Sequence, residues 1–202
     1  MNPMLPAALQ GDLVLASSSP RRAAILAMLR FEFETVLAPI DEDAATLPDP
    51  AAHAEHLALL KADAAARDRA RGIVIGADTI VVADGLVLNK PRSAADALAM
   101  QARLRGRWHT VFTGVAILDV ASRRRASGTE RTEVLFHDWD DGFLQRYVDT
   151  GEGMDKAGAY AIQGLGALLV REIRGCYYNV MGLPIGTFVR LLRQVREAGD
   201  RT

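Results

Sequence analysis

The fold is organised around residues Leu13–Arg22, which read LVLASSSPRR. Leu13 to Ala16 are all apolar, which is typical of a short buried strand. Ser19 suits the N-cap of a following helix, and Pro20 suits its first position because the missing N–H of proline would have no intrahelical partner there. The pattern therefore predicts a strand that leads through a serine-rich turn into a helix.

Two arginines, Arg21 and Arg22, then occupy the first turn of that helix. Cations are disfavoured there, because the helix dipole is positive at its N-terminus. The conflict disappears if an anion binds at the turn, held by backbone N–H groups, serine hydroxyls such as that of Ser17, and two guanidinium groups. The alternative is that both arginines simply point to solvent.

The chain has 202 residues, a formal net charge of −1 and a single cysteine, Cys176. This length suits one domain over residues 1–202, built as two lobes. The near-neutral charge excludes a global basic field that would attract nucleic acid or an anionic membrane. One cysteine excludes an intrachain disulfide and fits a reducing cytosol.

The first residues contain two prolines and no basic segment, so we expect no signal peptide. No apolar run approaches the ~20 residues that a membrane span needs. These features predict a cytoplasmic protein with neither nucleic acid nor a membrane as partner.

A helix is predicted from Asp49, its N-cap, through Pro50 to about Arg71. Lys61 falls within the apolar stripe of this helix by helical spacing. Its ammonium group either reaches out to solvent along its aliphatic stem or points into a cleft that the helix borders.

The most β-prone stretch of the chain, Ile73–Ala83, is interrupted by one carboxylate, that of Asp78. A strand this apolar is expected to be buried on both faces. A buried carboxylate without a partner is costly, so Asp78 needs a cation, a metal or hydrogen-bond donors beside it. A structural salt bridge would satisfy it, but the neighbouring Gly76 and Thr79 favour a strand that opens onto a cleft with room for a ligand.

Asp84-Gly85 is a strong hairpin signal, and the chain returns through Leu86–Leu88 to Lys90. Lys90 therefore follows a strand that pairs with the one carrying Asp78. We expect this pairing to bring a second cation within reach of the carboxylate.

Further strands are predicted at residues 31–38, 108–120, 129–137 and 167–173, and further helices at 93–105, at 141–148 and after 184. Gly164-Leu165-Gly166 lacks the third glycine and the strand-to-helix context of a dinucleotide site. The pattern G-x-x-x-x-G-K-[ST] is also absent, which excludes a P-loop enzyme.

Several charged residues are thus placed in apolar surroundings or close to them: Arg21, Arg22, Lys61, Asp78 and Lys90, with Glu42 as a plausible companion. Four cations suit a polyphosphate, whereas two carboxylates suit a divalent metal and a base for water. Such a combination favours phosphoryl chemistry, in which positioning and charge stabilisation supply most of the catalysis.

Five motifs carry a family resemblance, in order along the chain: ASSSPRR at 16–22, GADT at 76–79, KP at 90–91, KAGAYAIQG at 156–164 and NVMGLP at 179–184. Together they resemble the Maf family of nucleoside triphosphate pyrophosphatases, also called septum formation inhibitor Maf proteins. The resemblance runs from Leu13 to about Leu192.

This resemblance implies an α/β fold, with a long twisted mixed sheet flanked by helices and two lobes around a central cleft, similar to inosine triphosphatase. It implies hydrolysis of the α–β bond of a nucleoside triphosphate, with Mg²⁺ or Mn²⁺ as the divalent cation. A homodimer is plausible from the family.

The resemblance also assigns residues. Asp78 matches the proton acceptor, and the other matching polar cleft positions are Ser17, Arg22, Glu42, Lys61 and Lys90, with Glu42 and Asp78 as metal ligands. The branch that acts on dTTP and UTP is matched by Arg21, Thr79 and Gln163. The Gln163 amide offers a donor and an acceptor to the edge of uracil or thymine.

Two alternatives stay open at this stage: a 7-methyl-GTP pyrophosphatase, and a non-catalytic nucleotide-binding regulator of septation. One departure from the family pattern is Asn89, which stands where the family usually has Gly or Glu.

Overall fold

The structure is a computed structural model that describes residues 2–41 and 47–197. Its strands are β1 (Leu13–Ala16), β2 (Phe33–Val36), β3 (Ile73–Ala83), β4 (Leu86–Leu88), β5 (Trp108–Asp119), β6 (Arg125–Phe136) and β7 (Val170–Arg174). The helices of the described residues are α1 (Pro20–Met28), α2 (Pro50–Ala66), α3 (Ala94–Leu104), α4 (Asp141–Asp149), α5 (Tyr177–Met181) and α6 (Ile185–Glu197).

The seven strands form one open mixed sheet in the order β2-β1-β3-β5-β6-β7, with β4 paired to β3. β1 is parallel to both β2 and β3, so Ala16 lies opposite Val36 on one side and Gly76 on the other. β4 is antiparallel to β3, and β7 is antiparallel to β6. The α/β class and the mixed sheet that the sequence predicts are thereby confirmed.

The chain divides into two compact units. The first unit is formed by the residues up to Asp78, by Thr113–Glu130 and by the residues from Gly182 onward. Its core includes apolar side chains from β1, α2, β3 and β5, namely Val14, Ala16, Ala58, Ala62, Val74, Ala116 and Leu118. The alanines on α2 allow this helix to lie very close to the strands, as the surroundings of Gly76 and Gly114 show.

The second unit is formed by Thr79–Phe112 and Arg131–Met181. It contains β4, α3, α4, β7 and α5, together with two 3-10 turns at Ala157–Ala159 and Gly164–Leu168. Its core is richer in large and aromatic side chains, which include Val81, Leu104, Val134, Phe136, Leu144, Tyr147 and Tyr160. The β3–β4 hairpin turns at Asp84 and Gly85, whose φ angles of 51° and 75° are those of the predicted tight turn.

Several predicted boundaries are confirmed and others are wrong. β3 has the predicted limits, and the Asp49 carboxylate caps α2 by accepting from the N–H groups of Ala51 and Ala52. α2 ends at Ala66, five residues before the predicted Arg71. The strand predicted over 31–38 shortens to β2, whereas the one predicted over 129–137 begins earlier, at Arg125.

The segment 167–173, which the sequence predicts as one strand, divides into the end of a 3-10 turn and β7. None of the helices in the two described stretches is long and apolar enough to cross a membrane.

Candidate active site

The turn between β1 and α1 is organised by the Ser17 hydroxyl. Ser17 Oγ accepts a hydrogen bond from the Ser19 N–H at 3.1 Å and another from Arg22 Nη1 at 3.0 Å. Ser19 occupies the N-cap position, but its side chain makes no capping bond, so the predicted capping role is wrong. The Ser17 oxygen binds the N–H of Ser19 itself, so it orders the turn before α1 rather than capping the helix.

Arg22 is buried and points into the protein, which excludes the solvent-facing alternative for this residue. Its Nε donates to the Gly182 carbonyl oxygen at 2.8 Å, and its Nη1 donates to Ser17. These bonds join the first sequence motif to the last, across 160 residues of chain. The guanidinium group is therefore held in one orientation before any ligand arrives, whereas Arg21 is half-buried.

Lys61 and Asp78 form a buried ion pair. Lys61 Nζ donates to Asp78 Oδ1 at 2.5 Å, and the two side chains are 14% and 10% exposed. The pair joins α2 to β3, and it supplies the cation that the sequence requires beside Asp78. Of the two alternatives left open for Lys61, the structure shows the one in which the ammonium group points inward.

Gly76 explains how α2 comes close enough to β3 for this pair to form. A Cβ atom at Gly76 would lie 2.1 Å from the Ala58 carbonyl oxygen and 2.9 Å from the Ala62 nitrogen. Only glycine lets the helix backbone approach this closely. The glycine two residues before Asp78 thus sets the distance between the helix with the cation and the strand with the carboxylate.

The remaining sequence-predicted residues belong to the second unit. Thr79 is half-buried on β3, Lys90 is exposed just after β4, and Gln163 is exposed at the start of the 3-10 turn Gly164–Leu168. Asn89 contributes through its backbone, because its carbonyl oxygen accepts from the Gly158 N–H at 3.2 Å. Any residue supplies that carbonyl, so the departure at Asn89 leaves this contact intact.

The segment before Gln163 is held by side chains that the sequence does not single out. The Gln101 side-chain amide is fully buried and donates to the Ala159 carbonyl oxygen at 2.6 Å. His109 Nε2 lies 2.9 Å from the Tyr160 hydroxyl oxygen, and burial lowers the pKa of His109 to about 3. The sequence does contain a sign that these two residues are special. Gln101 interrupts the apolar side of α3, and His109 lies in the largely apolar strand β5.

Two more such residues, Tyr147 and Glu152, contact the segment on both sides of Gln163. The Tyr147 hydroxyl accepts from the Ala161 N–H at 3.1 Å and donates to Glu152 Oε1 at 3.2 Å. Burial raises the pKa of the Tyr147 phenol well above its usual value, so the hydroxyl keeps its proton. Their spacing in the sequence gives no sign of this contact.

The buried Asn179 is a structural residue in the last motif. Its side-chain amide donates to the Val111 carbonyl oxygen at 3.0 Å and to Thr132 Oγ1 at 2.9 Å. These bonds attach α5 to β5 and β6 within the second unit.

Of the two metal ligands that the family resemblance implies, Asp78 lies among the described residues. Glu42, the second ligand that the family resemblance implies, lies outside the described residues. Residues 2–41 and 47–197 contain no group of three or more His, Cys, Asp or Glu side chains that could hold a metal. Mg²⁺ commonly uses only one or two carboxylates together with the phosphates of a substrate, so this sparse donor set fits a metal that binds with a nucleotide.

Sequence comparisons place the chain among known proteins. The pattern that defines the family described as Maf-like protein matches residues 12–195. A protein of Desulforamulus reducens named dTTP/UTP pyrophosphatase is 44% identical over 181 residues, which cover 90% of this chain and 95% of that protein. A protein of Moorella thermoacetica with the same name is 48% identical over 180 residues, covering 89% and 93% of the two chains. A third relative with this name, from Dictyoglomus turgidum, is 41% identical over 184 residues.

The match covers all five motifs, the Ser17–Arg22 turn and the Lys61–Asp78 pair. The chain therefore belongs to the family of Maf-like proteins.

Proposed function

We propose that this protein is a nucleoside triphosphate pyrophosphatase that hydrolyses dTTP and UTP to the monophosphate and pyrophosphate. The observation that carries the proposal is the buried Lys61–Asp78 pair, which places a carboxylate and a cation 2.5 Å apart in a family of Maf-like proteins. The names of the relatives in Desulforamulus reducens and Moorella thermoacetica support the choice of substrates.

Asp78 takes the proton of the attacking water in this mechanism. As the water oxygen forms its bond to the α-phosphorus, one water proton moves to the Asp78 carboxylate. The bond from the α-phosphorus to the bridging oxygen breaks, and pyrophosphate leaves with that oxygen and its electron pair. Lys61, bound to Asp78, keeps the carboxylate oriented and stabilises negative charge on the phosphates.

Phosphate binding is assigned to Ser17, Arg22, Lys61 and Lys90. The Ser17–Arg22 turn offers a guanidinium group whose orientation is already set by two hydrogen bonds. Because little side-chain freedom is lost when such a group binds an anion, the turn is suited to hold a charged phosphate. Lys90 is exposed just after β4, so its ammonium group is accessible to an anion.

Base recognition is assigned to Arg21, Thr79 and Gln163. The exposed Gln163 amide pairs a donor and an acceptor, which match the O4 and N3–H groups of uracil and thymine. A base that cannot form both hydrogen bonds with this amide should bind less tightly, which would favour uracil and thymine.

A divalent cation, Mg²⁺ or Mn²⁺, would be held by Asp78 and Glu42. When bound, it neutralises charge on the phosphates and lowers the barrier to attack on phosphorus. We also infer a cytoplasmic enzyme without a nucleic-acid or membrane partner, in keeping with the net charge of −1 and the single cysteine. A homodimer is compatible with this function.

The proposal is tested by measuring pyrophosphate release from a panel that contains dTTP, UTP, dCTP, dATP, GTP and 7-methyl-GTP. We expect the largest kcat/KM values for dTTP and UTP. A strong preference for 7-methyl-GTP would overturn the substrate assignment, and nucleotide binding without pyrophosphate release would indicate a regulator instead.

Asp78→Asn tests the proposed base. The variant should fold and lose about 10²–10⁴-fold in kcat, because an amide cannot accept the proton. Asp63→Asn is the matched control, since Asp63 lies on α2 with a side chain 45% exposed and pairs with Arg125. Full activity of Asp78→Asn would remove Asp78 from the role of base.

A further inference from the structure

The segment that carries Gln163 is connected on both sides to one hydrogen-bonded pair, the buried Tyr147 and the half-buried Glu152. The Tyr147 hydroxyl accepts from the N–H of Ala161, two residues before Gln163. The Glu152 carboxylate accepts from the N–H groups of Leu165 and Gly166, at 3.0 and 2.8 Å, just after Gln163. Two bonds therefore flank Gln163 on the C-terminal side and one on the N-terminal side.

The two side chains act as a unit because they are bonded to each other. Tyr147 donates its hydroxyl proton to Glu152 Oε1 at 3.2 Å, while the same carboxylate accepts from the turn. Hydrogen bonds to an ionised carboxylate are stronger than those between neutral groups. The pair thus fixes the position of the backbone on either side of Gln163.

Glu152 also takes over a function that the N-cap residue usually performs itself. Gln163 is the N-cap of the 3-10 turn Gly164–Leu168, but its side chain makes no capping hydrogen bond. The first N–H groups of the turn are bound by Glu152 instead. The side-chain amide of Gln163 therefore makes no capping hydrogen bond to the turn that follows it.

The glycines of Gly164-Leu165-Gly166 make room for this arrangement. A Cβ atom at Gly164, whose φ is +74°, would lie 2.5 Å from Glu152 Oε2. A Cβ atom at Gly166 would lie 2.8 Å from the Tyr147 hydroxyl and 2.1 Å from the Ala161 carbonyl oxygen. The Gly164-Leu165-Gly166 sequence, which does not fit a dinucleotide site, therefore has a structural role. Its glycines let the Tyr147 and Glu152 side chains approach the backbone.

We propose that Tyr147 and Glu152 are positioning residues that hold Gln163 for the discrimination of pyrimidine nucleotides. The inference rests on the proposed function, in which Gln163 binds the base. Neither residue contacts the nucleotide; both act through the backbone of 161–166. Loss of either one should therefore affect the choice of base more than the chemistry at phosphorus.

The test compares kcat/KM for dTTP with kcat/KM for dATP in Tyr147→Phe, Glu152→Gln, Glu152→Ala and Gln163→Ala. Misplacement of a positioned group by about 1 Å can cost on the order of 10²-fold. We expect the dTTP-to-dATP ratio to fall about 10-fold in Tyr147→Phe, and in Glu152→Ala to approach the ratio of Gln163→Ala. Glu152→Gln keeps one acceptor oxygen, so its ratio should lie between the wild-type and Glu152→Ala values.

Tyr177→Phe is the matched control for the loss of a phenol hydroxyl, because Tyr177 is 37% exposed and lies outside the segment. It should leave the ratio unchanged. Thermal unfolding of each variant shows whether it is folded. A purely structural role would lower the activity toward dTTP and dATP by the same factor and leave their ratio at the wild-type value, which would overturn the proposal.

Equilibrium binding of the α,β-imido analogues of dUTP and dATP separates this proposal from the proposed function. If the wild type prefers the dUTP analogue but releases no pyrophosphate from dTTP, the proposed function fails. A smaller preference in Tyr147→Phe and Glu152→Ala would still support the positioning role. If Gln163→Ala retains the wild-type preference, Gln163 does not select the base and the positioning role is overturned.

Discussion

Lys61 and Asp78 form a buried ion pair, and the loss of one member leaves the other without its main charge partner. Removal of a single member of such a pair typically costs about 3–5 kcal/mol. We therefore expect Lys61→Met to lower the free energy of unfolding by about that amount, measured by urea denaturation. The lysine chain is replaced by one of similar length, so little packing is lost.

The double variant Lys61→Met/Asp78→Asn is the control for this prediction. Replacement of both charges by neutral groups is often nearly neutral for stability, so the double variant should regain much of the loss. Equal stability of the single and double variants would contradict the idea that the unpaired carboxylate causes the loss.

His109 gives the protein a predicted sensitivity to acid. Burial lowers its pKa from the ordinary 6.5 to about 3, so the unfolded chain binds a proton between these values and the folded chain does not. Between pH 6.5 and about 3, the His109 contribution should therefore lower the free energy of unfolding by about 1.4 kcal/mol for each unit by which the pH falls. Above pH 6.5 the contribution is constant.

His109→Gln isolates this contribution, because glutamine can still bind the Tyr160 hydroxyl but does not titrate in this range. The free energy of unfolding of the wild type minus that of the variant, measured by urea denaturation at several pH values from 7.5 to 4.5, should decrease as the pH falls below 6.5. Parallel pH profiles would show that His109 titrates alike in the folded and unfolded chains.

The contacts of some single residues can be predicted from the sequence, whereas those of others cannot. Asp78 in an apolar strand demands a partner on general grounds, and Lys61 in an apolar stripe is a natural candidate for it. Tyr147 and Glu152 were missed because they are ordinary surface-compatible residues whose contacts are made with backbone groups. Backbone N–H groups look alike in any sequence, so such contacts become visible only once the chain is folded.

At the scale of elements, the packing of α2 on β3 depends on Gly76. A Cβ atom there would lie 2.1 Å from the Ala58 carbonyl oxygen, and helix backbone cannot move aside as a flexible side chain can. Gly76→Ala should lower the free energy of unfolding by about 3 kcal/mol, the upper end of the usual range for overpacking. Hydrolysis of dTTP should fall as well, because the forced separation moves Lys61 away from Asp78.

Gly186→Ala is the matched control for this prediction. Gly186 is the second residue of α6, and apart from its chain neighbours and its own helix backbone no atom lies within 4 Å of a Cβ atom placed there. Alanine favours a helix over glycine, so the stability should stay constant or rise by up to about 1 kcal/mol. Wild-type stability and activity in Gly76→Ala would show that α2 does not depend on this close approach.

Elements with strong local signals were predicted with the right limits, and those shaped by long-range contacts were not. β3 is an eleven-residue strand rich in isoleucine and valine, and a tight turn follows its end, so its limits are locally determined. The 3-10 turn Gly164–Leu168 is instead stabilised by Glu152, which lies twelve residues before it. The pattern of apolar residues at 167–173 cannot reveal that contact, so it predicts a longer strand than the structure has.

At the scale of the whole molecule, neither compact unit is a continuous piece of chain. The chain passes from one unit to the other within β3, β5 and β6, at residues 78/79, 112/113 and 130/131, and once more at 181/182, between α5 and α6. Three strands are thus shared, and unfolding of one unit removes hydrogen-bonded neighbours from strands that continue into the other.

We therefore expect the protein to unfold in one cooperative transition. Both tryptophans, Trp108 and Trp139, belong to the second unit, so their fluorescence follows that unit alone. Far-UV circular dichroism follows the helices of both units, including α2 and α6 of the first. In urea, the two signals should give the same midpoint and the same slope. If the first unit unfolds separately, the circular dichroism curve will show a second step or a midpoint displaced from that of fluorescence, and the shared strands will have failed to couple the units.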